Sequence, residues 1–337
     1  MIEKIHRGKA PFYIQFEITE RCNNKCYFCY NPMGHVQGNE LSLDKIKQIL
    51  NQLSEVGVFR INFNGGEPLA RLDLLDIIEY AGSLGFDLHM NTNATLVTDE
   101  IAEKIAKHMK SICTSVLHSD RVKHDKMTGR PGAYDDVING IKTLRRHGVE
   151  VEVNVCTSSE NYEDIYNIGR LIDSLGCYSL CSTRYILNDK SNKNLLLDTK
   201  ATMKLIDMLM RVKEDFQGIR DVALPGPVPY CEIDEEYYDK LKVLNIPCQY
   251  GYGLCRISPN GKVTPCTISN DVIGDLNTQT FEEVWNASGW QKYEALCHIP
   301  VPCRSCEEFS RCKGGCVVYD ESIKACGETI LTRKWGK

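Results

Sequence analysis

Seventeen cysteines in 337 residues, eleven of them in two groups, set the terms on which this chain can fold. Cys22, Cys26 and Cys29 stand together near the start, and Cys248, Cys255, Cys266, Cys303, Cys306, Cys312, Cys316 and Cys326 crowd the final third. The stretch from Met1 to Arg7 lacks the apolar core of a secretory signal, and no apolar run approaches the roughly 20 residues that cross a bilayer. The expectation is a soluble, cytoplasmic chain. Its thiols then face reducing conditions, which points away from disulfides and toward metal. The scattered cysteines, Cys113, Cys156, Cys177, Cys181, Cys231 and Cys297, need only the packing role of a small hydrophobe.

The spacing narrows the metal. Cys22-x3-Cys26-x2-Cys29 has no fourth cysteine nearby and only His35 as a close imidazole, so a closed four-ligand zinc site suits it poorly. Three thiolates on a tight loop suit a [4Fe-4S] cluster with one iron left open. The C-terminal eight, including the run Cys303-x2-Cys306-x5-Cys312-x3-Cys316, would serve either iron-sulfur clusters or two zinc sites. Forty basic side chains against 45 acidic ones give a net charge of -5, so no general field attracts polyanions and nucleic acid is not an expected partner.

Strand and helix patterns alternate through the first two thirds. Strands are expected at 12–18, 59–63, 86–90, 112–117, 149–155 and 180–187, with helices between them, Ser42 and Thr98 as N-caps and Gly57, Gly85 and Gly148 as stops. Six β/α units require a parallel sheet with helices outside. The fold class is therefore α/β, a partial (β/α)6 TIM-like barrel followed by a small cysteine-rich iron-sulfur domain. The expected boundaries are a barrel over 1–220, a proline-rich linker over 221–230 carrying Pro225, Pro227 and Pro229, and a cysteine-rich domain over 231–337. Within that domain, Cys255 to Cys266 reads as a hairpin turning at Asn260-Gly261. The unusual residues of the barrel fall at the C-terminal ends of strands, where such sheets carry their chemistry.

The segment Glu20-Arg-Cys-Asn-Asn-Lys-Cys-Tyr-Phe-Cys29, with aromatic Phe28 just before the last thiol, resembles the signature of the radical S-adenosylmethionine (SAM) enzymes. Gly65-Gly66-Glu67-Pro68 resembles the family segment that receives the methionine amino group of SAM. Asn91-Thr92-Asn93 resembles the one near the ribose, and Ser115, with Arg130, the position that holds the carboxylate. The last third is similar to a SPASM domain, with Gly261-x4-Cys266, then C-x2-C-x5-C-x3-C, then a final cysteine. This resemblance implies SAM and three [4Fe-4S] clusters. One cluster would sit on Cys22, Cys26 and Cys29, one on Cys248, Cys255, Cys266 and Cys316, and one on Cys303, Cys306, Cys312 and Cys326.

The implied activity is reductive cleavage of SAM to a 5'-deoxyadenosyl radical that abstracts a substrate hydrogen. Relatives of this kind commonly modify ribosomally made peptides by cross-linking, oxidation or epimerisation, and draw electrons from a flavodoxin or ferredoxin. Peptide epimerases use a free thiol as hydrogen donor, which makes Cys231 a candidate. Tetrapyrrole side-chain chemistry is an alternative. Sulfatase-type maturation is less expected, because Thr267 follows Cys266 where those relatives have an Asp. The short stretch before strand one leaves no room for a peptide-recognition domain of roughly 80 to 90 residues, so any leader binding would need a separate partner protein or a short contact. Outside enzymes, the remaining reading is an iron-sulfur electron carrier or scaffold.

Overall fold

The computed structural model describes residues 7–30, 39–186, 192–226, 228–246, 248–295, 299, 301–312 and 314–316. His35, Cys297 and Cys326 lie outside them.

The barrel strands are β1 (Tyr13–Thr19), β2 (Arg60–Gly65), β3 (Asp87–Thr92), β4 (Ser111–Ser115), β5 (Glu150–Thr157), β6 (Ser179–Arg184) and β7 (Asp221–Pro225), hydrogen-bonded in parallel and in sequence order. Helices α1 (Leu43–Glu55), α2 (Leu74–Ser83), α3 (Asp99–Ala106), α4 (Arg121–Thr128), α5 (Ala133–Arg146), α6 (Ile165–Ser174) and α7 (Thr199–Asp215) return the chain between them. Alternation sorts the side chains. On β1, Ile14, Phe16 and Ile18 face the helices, and on β2 Ile61 and Phe63 do the same, packed in one core with Ile46, Ile49, Leu50 and Leu53 of α1. The opposite face is polar. Gln15, Glu17, Asn62 and Asn64 turn inward, and both asparagine amides donate to Gln15 Oε1, at 3.0 and 2.6 Å.

The caps act as expected. Ser42 accepts from Lys45 N and Thr98 from Ile101 N, each satisfying an amide that the first helical turn leaves free. Two elements differ from expectation. Residues 221–225, read as linker, form β7, because Val222 and Leu224 bury their side chains and the segment pairs with β6, leaving Pro225 at the strand's end. Helix α4 is additional, held by Asp120, whose side chain accepts from Lys123 N, and stopped by Gly129 in the left-handed region.

Beyond β7 come α8 (Tyr238–Leu244), β8 (Asn245–Ile246), β9 (Leu254–Ile257), β10 (Lys262–Thr264), β11 (Gly274–Asp275) and α9 (Phe281–Trp285). β9 and β10 form the expected hairpin, with Gly261 at φ 84° in its turn. The sheet does not break between barrel and tail. β9 runs parallel to β1, with Ile14 opposite Cys255 and Gln15 opposite Arg256, so the cysteine-rich hairpin extends the barrel wall.

Candidate active site

The loop after β1 is built by its neighbours' backbone. Gly66 N donates to Thr19 O at 2.8 Å, Glu67 N to Arg21 O at 2.7 Å, and Lys25 N to Thr128 O at 2.8 Å. These approaches need glycine. A Cβ on Gly65 would stand 2.3 Å from Thr19 O, one on Gly66 2.1 Å from Arg21 O, and one on Gly129 2.6 Å from Lys25 O.

Side chains fasten the same loop. Glu67 is fully enclosed; its carboxylate accepts from Thr92 Oγ1 and Asn93 N, both at 2.6 Å, and from Leu69 N at 3.0 Å. Burial pushes its pKa up, and these donors oppose that. Asn93 Nδ2 donates to Asn23 Oδ1 at 2.8 Å, and Arg130 Nε to Asn24 Oδ1 at 3.0 Å while its Nη2 reaches Asp136 at 2.6 Å. Asn24 N points at Cys22 Sγ, 3.5 Å away. Of the positions the sequence suggested for SAM, Gly65, Gly66, Glu67, Asn93 and Arg130 thus meet at the loop, and Glu67, Asn93 and Arg130 already serve as its ties. Pro68 is buried and opens a 3-10 turn, Phe28 packs edge-on to Tyr27 at 5.5 Å, Asn91 is exposed on β3, and Ser115 ends β4 half-buried.

The three thiols form one electrostatic group. Burial raises the Cys26 pKa first, and the neighbouring Cys29, Cys22 and Cys156 sulfurs raise it further. Among the described residues, no three Cys, His, Asp or Glu side chains close around a point that would hold a single ion. Tetrahedral zinc would draw its sulfurs to about 3.8 Å of one another. Three soft thiols on one loop fit an iron-sulfur cluster that they would ligate at three of its four irons.

In the last third the thiols sort into two sets. Cys248 lies in the field of Cys266 and Cys316, and burial pushes it up to about 12. Cys312, pushed up to about 11 by burial, lies in the field of Cys303 and Cys306. Cys255 is buried in the apolar core, as Cys312 is. Cys231 sits in the one-turn segment Tyr230–Glu232, where it and Cys306 both act on Tyr238, so it lies by the cysteine run. Its neighbour Glu232 approaches Arg184, at the end of β6, to 3.9 Å. Sequence reasoning passed over Glu17 and Arg256, and had Asn23, Asn24 and Thr92 only as members of their motifs, with no role of their own. A charged Glu17 at an inward strand position was the readable signal.

Comparison with known proteins accords with this geometry. Residues 16–172 match the radical SAM superfamily, and residues 248–312 match SPASM, an iron-sulfur cluster-binding domain. The chain is 26% identical to an AdoMet-dependent heme synthase of Methanosarcina barkeri, over 90% of this chain and 91% of that protein. It is 27% identical to a PqqA peptide cyclase of Bradyrhizobium diazoefficiens, over 91% and 81%. The fold superimposes on Streptococcus suis SuiB, solved bound to its precursor peptide SuiA, with a TM-score of 0.77 at 19% identity, covering 93% of this chain and 73% of SuiB. The chain is an enzyme of the radical SAM superfamily with a C-terminal SPASM iron-sulfur domain.

Proposed function

We propose that this enzyme uses SAM to abstract a hydrogen atom from a ribosomally made peptide held at the C-terminal mouth of the barrel, as a step in its post-translational modification. The observation that carries this reading is the loop of Cys22, Cys26 and Cys29, locked against Gly65-Gly66-Glu67 at the strand ends. When bound, the cluster and SAM supply one-electron cleavage of the sulfonium and a 5'-deoxyadenosyl radical.

The chain's own residues do the rest. Cys22, Cys26 and Cys29 hold the cluster, and Asn24 N orients the first sulfur. Glu67, Asn93 and Arg130 keep the loop from shifting, and Asn91 and Ser115 receive the polar parts of SAM. The inward amides of Gln15, Asn62 and Asn64 line a polar interior able to hold peptide groups. The two sets of tail thiols hold the auxiliary clusters. A low-potential flavodoxin or ferredoxin is the proposed electron source, and a separate leader-binding protein the proposed route of peptide delivery.

Support for a peptide substrate comes from the likeness to a peptide cyclase and to SuiB. The likeness to a heme synthase over nearly its whole length supports tetrapyrrole side-chain chemistry as the second reading. Anaerobic protein given SAM and dithionite is expected to form 5'-deoxyadenosine, and Cys22→Ala to form none. Activity surviving in Cys22→Ala would overturn the assignment of the site. Deuterium passing into 5'-deoxyadenosine from a labelled precursor peptide, rather than from a labelled porphyrin precursor, decides between the two substrates.

A further inference from the structure

The loop that bears Cys22, Cys26 and Cys29 carries charge as well as thiols. Arg21 directly precedes Cys22 and Lys25 directly precedes Cys26; both are exposed, and half-buried Glu20 is the only carboxylate between residues 20 and 30. Lys25 lies against the end of α4. Its backbone N donates to Thr128 O at 2.8 Å, and a Cβ on Gly129 would stand 3.1 Å from the Lys25 Cβ. Lys126 follows on the outer face of α4, exposed there with Lys123 and with Val122, which is 74% exposed, while His124, Met127 and Thr128 make the buried face.

These cations are available to a partner. Among the described residues, Arg21, Lys25 and Lys126 enter no ion pair, whereas Arg121 is taken by Asp135 and Arg130 by Asp136. The carboxylates beside them are engaged by backbone: Asp120 accepts from Lys123 N at 2.9 Å, and Asp125 from Gly132 N and Tyr134 N at 2.6 and 2.8 Å. On a chain whose net charge is -5, the free charges nearest the first three thiols are therefore positive.

We propose that this face, from Arg21 and Lys25 on the cysteine loop to Lys126 and Val122 on α4, is where a small acidic one-electron carrier protein docks to reduce the cluster held by Cys22, Cys26 and Cys29. The carrier is oxidised by one electron, the cluster is reduced by one, and no atom is transferred. Tunnelling slows steeply with distance, so a donor has to seat over the thiols themselves, and redox encounters of this kind use small interfaces steered by opposite charge. Position argues against an acidic peptide as the occupant, because the patch runs onto α4, in the outer layer of the barrel, away from the inward amides of Gln15, Asn62 and Asn64. The inference rests on the proposed electron source, not on the peptide reading.

Two measurements on anaerobically reconstituted holoprotein test it. In the first, fluorescently labelled oxidised flavodoxin, an acidic carrier, is titrated with holoprotein at low ionic strength and followed by anisotropy. A Lys123→Glu, Lys126→Glu protein is expected to bind at least about tenfold more weakly than wild type and to respond less to added salt, while Lys200→Glu, Lys213→Glu on α7, with the same change in net charge, stays within about twofold. In the second, EPR follows the cluster: flavodoxin hydroquinone should reduce the α4 variant at least about tenfold more slowly at subsaturating carrier, while dithionite reduces both proteins and yields equal 5'-deoxyadenosine. Equal binding by wild type and the α4 variant, or equal loss in both variants, overturns the proposal, as does a wild type that flavodoxin neither binds nor reduces. An α4 variant that keeps flavodoxin binding but loses the precursor peptide assigns the face to substrate and overturns it too. Wild type that forms no 5'-deoxyadenosine with dithionite overturns the assignment of the site, and the proposal with it.

Discussion

The guanidinium of Arg256 donates to the carboxylate of Glu17 across the ladder that joins β9 to β1, tying the cysteine-rich third to the barrel from inside. Glu17 is fully buried, and Tyr30, next to Cys29, donates its hydroxyl to the other carboxylate oxygen at 3.1 Å. Burial pushes the Glu17 pKa up, and Arg256 opposes that. One enclosed ion pair therefore touches the loop of the first cluster, the barrel wall and the hairpin of the auxiliary thiols.

Removing one member of such a pair strands the other without water. Glu17→Gln and Arg256→Met are each expected to destabilise the holoprotein by about 3 to 5 kcal/mol in urea unfolding, and the double variant by much less than their sum. Additive losses would show that the two side chains act separately.

Gly66 is expected to tolerate no side chain, because the atom that a Cβ would meet, Arg21 O, is backbone of the cysteine loop and cannot rotate away. Gly66→Ala should lose about four of roughly twelve irons and with them SAM cleavage, while the auxiliary clusters remain. Iron analysis and EPR of the anaerobic variant check this; a full complement of clusters would mean the loop yields.

Much of this was readable from the chain. The barrel announces itself by alternation and capped helices, and Ser42 and Thr98 cap where their position before an apolar stripe says they should. The cysteine groups are readable because metal ligation leaves a spacing. What escapes is what depends on facing and distance. Helix α4 is half charged, with little apolar periodicity to betray it. Glu17 and Arg256 lie 239 residues apart, so only the β1 and β9 pairing makes them neighbours.

Thr92 shows how closely the Glu67 carboxylate is matched. Its hydroxyl donates to Glu67 at 2.6 Å and accepts from Ala94 N at 3.0 Å. Thr92→Val keeps the shape and removes both bonds, at an expected cost of about 1 to 3 kcal/mol and at least a tenfold slower SAM cleavage. Thr92→Ser should restore both. Failure of Ser to rescue would assign the effect to packing.

Stability should also fall in mild acid, for a reason located at His124. Its Nδ1 accepts from Leu117 N at 3.2 Å, its ring lies edge-on to Tyr134, and burial holds its pKa down from the usual 6.5 to about 4. The folded state keeps the ring neutral while the unfolded chain takes up a proton as pH drops through about 6.5, so the unfolded state binds more protons in the window between. The contribution is therefore complete above that window and is lost as pH falls from 6.5 toward 4, with a ceiling on the order of 3 kcal/mol. His118, whose pKa burial also lowers, acts in the same direction. His124→Gln can still accept from Leu117 N but does not titrate, so its unfolding free energy should fall less steeply between about pH 7 and pH 5 than that of the wild type. Parallel slopes in the two proteins would show that His124 is not the group responsible.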